Sequence, residues 1–480
     1  MKQLISIISG KCHLGFRGIV LLLLLTAGYL IVYLLYPSAF RFAVAGTILG
    51  GILIVMNPRP ASWLPCLPFV FLLGGSTLPL GIFYPSVMTL AMFGFFAFYI
   101  VDKIVWNEPL PELSLPAKLA FMALALQIIS IAFSIHVHGQ YFWNAVREGS
   151  SVFLFMPLVF IVPDLCRTEE SLLRLSRSLV LILLLAGAAG IVEYLSISGF
   201  SRVDISLGYL YKGRVSSFLG NANVFAGYLE LAIPFSVALG FWEKSIKWRF
   251  TALIAALLGI LSILFTFSRG GLFSMAIGVG AVLIYRFRKR LWIPVLISIL
   301  FVGFLVKNAD VFERQMSFFM NPGELINQPT LLHRHVTYRG LWNQFLDSPG
   351  TGVGWGAKEY FWGNTRIYSF WEIRHSVSTK SIQHFGGLNS LFLTHSVRGG
   401  LISLSALFLI IVAVVIASFK AVRKACFPWG IGLSAGLLGF GIHQIMDNFL
   451  CWPQTSGFFW LYIGILLATV SIFSRAENAA

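Results

Sequence analysis

Long apolar runs alternate with short polar breaks along almost the whole chain. The runs predict helices near 18–36, 39–56, 64–82, 86–101, 117–135, 150–163, 178–197, 222–241, 250–267, 271–285, 291–306, 399–418, 428–446 and 455–473. Several are shorter than the roughly 20 residues that cross a bilayer comfortably. The segment at 150–163 is the weakest of them, and losing it would reverse the side of everything before it. A chain that is apolar over most of its length must satisfy its backbone within helices or a closed barrel. The expectation is therefore all-α: a polytopic membrane helical bundle of about fourteen transmembrane helices, read as one membrane domain over 1–480. The first run follows Lys2, Lys11 and Arg17 and reaches Tyr36 with no small-residue cleavage pattern behind it. It reads as a retained first span.

Composition agrees with the pattern. Apolar residues make up 57% of the chain and charged ones 11%, where a soluble domain is about a quarter charged. Mean hydropathy is +0.82. The net charge of +16 would suggest nucleic acid on a soluble protein, but here the basic residues form short runs between spans, as in 286–290 and 420–424. That is topology signalling under the positive-inside rule, and no nucleic-acid partner is expected. With the N-terminus inside, the basic residues collect on one side, and the short outer segments near 37–38, 83–85 and 447–454 carry no Lys or Arg. Both termini then lie in the cytoplasm. Of the five cysteines only Cys451 is clearly outside, so neither an intramolecular disulfide nor a metal-ligand spacing is expected.

One segment breaks the rhythm. Residues 308–398 form a polar stretch of about ninety residues that the helix count places outside as a large periplasmic loop. It holds His333, His335, His375, His384 and His395, and the aromatics Trp342, Trp355, Trp362 and Trp371. Disordered linkers are poor in aromatics, so a folded loop is expected, with amphipathic helices lying on the membrane.

Two arginines defy the charge bias. Arg214, in RVSSFLGNANVFAGYL, and Arg269, in FTFSRGG, both map to the outer face. Each is either a structural arginine or part of an anion site, because a guanidinium offers a planar fork of donors matched to phosphate oxygens. Gly270 and Gly271 would allow close approach. The run of Pro349, Gly350, Gly352, Gly354 and Gly356 predicts tight turns, since it lacks a P-loop ending. Carboxylates are scarce on the outer face, with no paired acids to hold a metal-bound diphosphate, so no metal or cofactor is expected. Glu193 and Glu230 lie within predicted spans as bundle-facing structural groups or proton sites, and Asp447 sits at the outer end of a span.

Four motifs in order resemble the bacterial O-antigen ligase/polymerase family of membrane glycosyltransferases. They are RVSSFLGNANVFAGYLELAIP with Asn221, Asn223 and Ala226, then FTFSRGG, LWNQFLDSPGTGVGWG and LNSLFLTHSVRGGLI, together covering about 214–402. The resemblance implies a C-type glycosyltransferase-like fold in the bacterial inner membrane. It implies metal-free, inverting transfer of glycan from undecaprenyl diphosphate at the periplasmic face. Arg214 and Arg269 would hold the diphosphate. The last motif's histidine would activate the acceptor hydroxyl and re-enter the membrane with its helix. Leu388 stands where that histidine is expected, although Asn389 is in register. Tyr338 stands where the family has an arginine before the motif tryptophan, with Arg339 one step off. His384, His395 or late proton loss without a dedicated histidine remain as alternatives for the base.

The implied partners are an undecaprenyl-diphosphate-linked glycan donor, a glycan or lipid A-core acceptor, membrane lipids, and a chain-length regulator or other polysaccharide assembly protein. A polymerase of O-antigen or exopolysaccharide repeats fits the missing histidine and extra spans slightly better than a ligase. The competing class is a polysaccharide or lipid transporter or flippase, with Glu193 and Glu230 as proton sites. Against it, no repeated halves are visible.

Overall fold

A computed structural model describes residues 60–71, 87–106, 108–109, 111, 113–197, 214–307, 338, 340–357, 390–423 and 429–479. The spans expected at 18–36 and 39–56, and the site candidates Arg339, His384 and Asn389, lie outside the described residues. The chain divides into two units, Met1–Pro111 and Glu112–Ala480. In the first, short helical pieces over 60–71 precede α1 (Val87–Val105), whose buried Lys103 pairs with Glu108 at 3.1 Å.

The second unit runs α2 (Leu115–His136), α3 (Phe142–Gly149), α4 (Leu158–Leu165), α5 (Glu169–Ile197), α6 (Ala222–Trp242), α7 (Ile246–Phe265), α8 (Arg269–Arg286), α9 (Trp292–Lys307), α10 (Leu391–Arg423), α11 (Trp429–His443) and α12 (Pro453–Ala479). Among the described residues, six helices are long and apolar enough to cross a membrane, or seven if the bent pair 142–165 is one span. The protein is a multi-pass helical membrane protein. The doubtful segment at 150–163 is that pair, bent by 49° between Phe142–Gly149 and Ser151–Leu165. Cys166, just beyond it, is buried, and burial pushes its thiol up to about 12.

Helix α6 is the centre of this unit. Its sequence is largely apolar around the helix, with Glu230 as its one carboxylate, and each residue from Val224 to Gly240 is buried, as expected of a helix enclosed by other helices. It packs against α7, α8, α11 and α12. Lipid supplies no hydrophobic drive between helices, so close backbone approach matters. Glycines of α11 provide it: a side chain at Gly436 would meet the Leu231 carbonyl, and one at Gly439 the Ser274 carbonyl.

The bundle is polar in charge. At the Trp242 end of α6, Arg286 lies 5.9 Å from the Trp242 ring and Arg177 pairs with the buried Glu243 at 3.0 Å. The basic segment 286–290 extends from the same end. Arg214 and Arg269 lie at the other end, beside the N-termini of α6 and α8.

The polar stretch before 399 departs from a loop resting on the membrane. Residues 391–399 are already helical and largely buried, and the helix breaks only at Gly400 (φ 60°, ψ −154°). Breaking a helix orphans carbonyls before the break and an amide after it. The glycine-rich segment takes them up. Val353 N donates to Val397 O at 2.8 Å, Gly354 N to Arg398 O at 3.0 Å, and Leu401 N to Pro349 O at 2.8 Å. The glycines thus make turns, as predicted, and also form a backbone clasp. Gly352 (φ 70°) could carry no Cβ without striking Val397 O.

Candidate functional site

The segment before α6 is shaped by its own polar side chains. Asn221 caps α6 by accepting from Asn223 N at 2.9 Å and Val224 N at 3.3 Å, the usual way an Asx residue satisfies orphan amides. Asn223 is left to hold Arg214: its Oδ1 accepts from Nη2 at 2.5 Å, and Arg214 Nε donates to Thr266 O at 2.7 Å. Val215 N donates to Phe265 O at 3.2 Å. The two asparagines of the motif therefore have separate jobs, one for the helix and one for the guanidinium.

Thr266 begins the turn that carries Arg269. Its hydroxyl accepts from Ser268 N at 3.2 Å, and Ser268 caps α8 by accepting from Gly271 N at 3.3 Å. Arg269 is the first helical residue and is half-buried. The structure thus brings the two arginines to one turn. The adjoining glycines leave room for protein: a Cβ on Gly270 would overlap His443 Nε2, and one on Gly271 would crowd Ala226 and, at 3.2 Å, Glu230 Oε1.

His443 is the residue that sequence reasoning passed over. It ends α11 with its ring between two carboxylates, Nδ1 2.5 Å from Glu230 Oε1 and Nε2 3.3 Å from Asp447 Oδ2. All three groups are buried. The i,i+4 spacing of His443 and Asp447 was available in the sequence, but Glu230 is 213 residues away. Among the described residues, no group of three or more His, Cys, Asp or Glu is arranged to hold a metal ion.

The start of α10 joins the same place. Leu391 N lies 3.0 Å from Gln444 O and 3.2 Å from Asp447 O, Asn448 Nδ2 donates to Thr394 Oγ1 at 3.2 Å, and Tyr338 Oη donates to Met446 O at 2.8 Å. Three helix N-termini, those of α6, α8 and α10, therefore collect around the end of α11, and none has an acidic residue in its first turn. Each N-terminus carries a partial positive charge that favours anions.

His395 sits differently. It is fully buried, with Nδ1 2.7 Å from Ser403 Oγ and its ring edge-on to Trp355. Ser403 donates to Gln127 Oε1 at 2.7 Å, and the Trp355 indole donates to Ser130 at 3.0 Å. Arg398 pairs with Glu148 at 3.0 Å, while Glu148 also accepts from Gly356 N at 2.7 Å. These contacts tie α10 to α2, α3 and the clasp. An imidazole enclosed in this way meets an acceptor hydroxyl only if α10 opens.

Glu193 has a local explanation. It accepts from Ser216 N at 3.0 Å, Ser217 N at 2.6 Å and Ser216 Oγ at 3.2 Å, which pins the segment behind Arg214. Glu193→Ala would strand two buried amides and cost about 1–3 kcal/mol. Its melting point should fall, while Glu193→Gln, which keeps one acceptor, should retain more of it. If both melt like wild type, the anchoring role is wrong.

Fold and site together define a polytopic helical membrane protein in which Arg214 and Arg269 meet at one turn, beside the buried Glu230–His443–Asp447 trio. Residues 254–382 match the family model described as O-antigen ligase, which covers the Arg269 turn and the glycine-rich clasp. Over those residues the chain is similar to the O-antigen ligase family, which supports a ligase/polymerase type of activity in general. No curated protein matches the chain.

Proposed function

We propose that the chain polymerises undecaprenyl-diphosphate-linked glycan repeats at the periplasmic face of the bacterial inner membrane, by metal-independent inverting transfer. The observation that carries this reading is the convergence of Arg214 and Arg269 with three helix N-termini, at the end of the bundle opposite the basic 286–290 segment. Basic segments favour the cytoplasm, so the arginine end belongs to the periplasm in this reading, and both termini to the cytoplasm. An acceptor hydroxyl attacks the anomeric carbon, and the guanidinium groups stabilise the charge that grows on the leaving diphosphate. Arg339 adds a third cation, and the acceptor-side groups this reading draws on are Asn389 and His384. His395 acts through the packing of α10. A chain-length regulator is the partner expected of a polymerase.

Deleting the gene and examining surface glycan tests the reading. Single repeats on lipid A-core are the expected result. Bare core would make the protein a ligase. Unchanged glycan with loss of proton-coupled uptake in proteoliposomes would make it a transporter and sink the proposal.

A further inference from the structure

The reaction needs a proton acceptor, and position 388 holds leucine. The bundle offers a carboxylate instead. Asp447 lies beyond the end of α11, its side chain 3.3 Å from His443 Nε2, the nitrogen that faces the Cα of Gly270 in the Arg269 turn. Its main-chain carbonyl lies 3.2 Å from Leu391 N, two residues after Asn389. Asp447 thus stands between the turn assigned to the leaving group and the helix start assigned to the acceptor. It is the outermost group of the trio: Glu230 is fully enclosed, whereas Asp447 retains 7% exposure.

We propose that Asp447 is the catalytic base of this transferase, with His443 and Glu230 as positioning residues; the inference rests on the diphosphate-transfer reading above. The acceptor O–H bond breaks and its proton goes to the Asp447 carboxylate. The oxygen forms the new bond to the anomeric carbon, and the bond to the diphosphate oxygen breaks with its electron pair leaving on the diphosphate. Asp447 then releases the proton to water. His443 is suited to hold the base because each ring nitrogen meets a carboxylate, which fixes the orientation of the ring. Glu230 anchors the inner nitrogen from the centre of α6, the most enclosed helix of the unit. The arrangement orients a carboxylate through a buried imidazole.

The test uses the full-length protein. Glycan extension is read in the deletion strain carrying each variant. Inorganic pyrophosphate serves as probe in a thermal-shift assay on detergent-purified protein. D447N should reach the membrane at wild-type abundance and keep the pyrophosphate shift, yet lose extension by roughly a hundredfold or more. D447E should recover part of it. In wild type, extension should fall as the medium is acidified. That dependence should vanish in the residual activity of D447N and be displaced in H443Q, which no purely structural role for His443 predicts. Extension by D447N within threefold of wild type (on the order of 0.7 kcal/mol) overturns the base assignment and leaves the clamp standing. Loss in H384A with D447N intact does the same. If R269A keeps both extension and the pyrophosphate shift, the underlying diphosphate reading fails instead.

Discussion

Arg269→Ala should lower glycan extension by about a hundred- to a thousandfold, equivalent to about 2.7–4 kcal/mol of barrier, which is the usual consequence of removing one preorganised group from a developing anion. Membrane abundance should not change. Arg269 is half-buried at the first position of α8, and Ser268 caps the helix start by accepting from the Gly271 amide. Arg269→Lys should recover little, because a point charge does not reproduce the planar fork. The measurement is the length distribution of surface glycan, with the protein quantified in the same membranes. Long glycan at wild-type levels in the alanine variant would refute the clamp. Arg214→Ala is a less clean experiment, since Arg214 also bridges Asn223 and the Thr266 carbonyl.

Gly400→Val should be among the most destabilising single changes in the chain. Its φ of 60° with ψ of −154° is a conformation that essentially only glycine adopts, and forcing another residue into it costs about 1–3 kcal/mol. The added Cβ would also overlap the carbonyl of Gly350, a backbone atom that cannot swing aside. Relief requires the clasp to separate from α10, which frees the Val397 and Arg398 carbonyls and the Leu401 amide. The expected results are a lower melting point for the detergent-solubilised chain and faster proteolysis within 348–357. A variant that melts like wild type and resists protease would show that the clasp contributes little.

The fold was legible because lipid imposes a simple rule on a chain: apolar runs long enough to cross must be helical. Predicted helices at 222–241, 250–267 and 271–285 differ from α6, α7 and α8 by a few residues. The stretch before 399 was misread in part, for a physical reason. Residues such as Thr394, His395, Ser396 and Arg398 look solvent-facing by type, and only partners on α2, α3 and the clasp make their burial possible.

The candidate site divides in the same way. Arg214 and Arg269 stood out because the helix count sets them on the side opposite the basic segments, where Lys and Arg are unusual. The separate tasks of Asn221 and Asn223 needed geometry, since both are equally good caps by type.

By itself, then, the amino-acid sequence determined that this protein is a helical membrane bundle, which side of it is basic, and which two arginines break that bias. Those properties follow from local hydropathy and charge, which each segment carries alone. Only the tertiary structure decided that Glu230, His443 and Asp447 stand together beside the Arg269 turn, and that His395 faces inward. Such neighbours come from different helices, and their meeting depends on how α6, α8, α10 and α11 pack, which no single segment encodes.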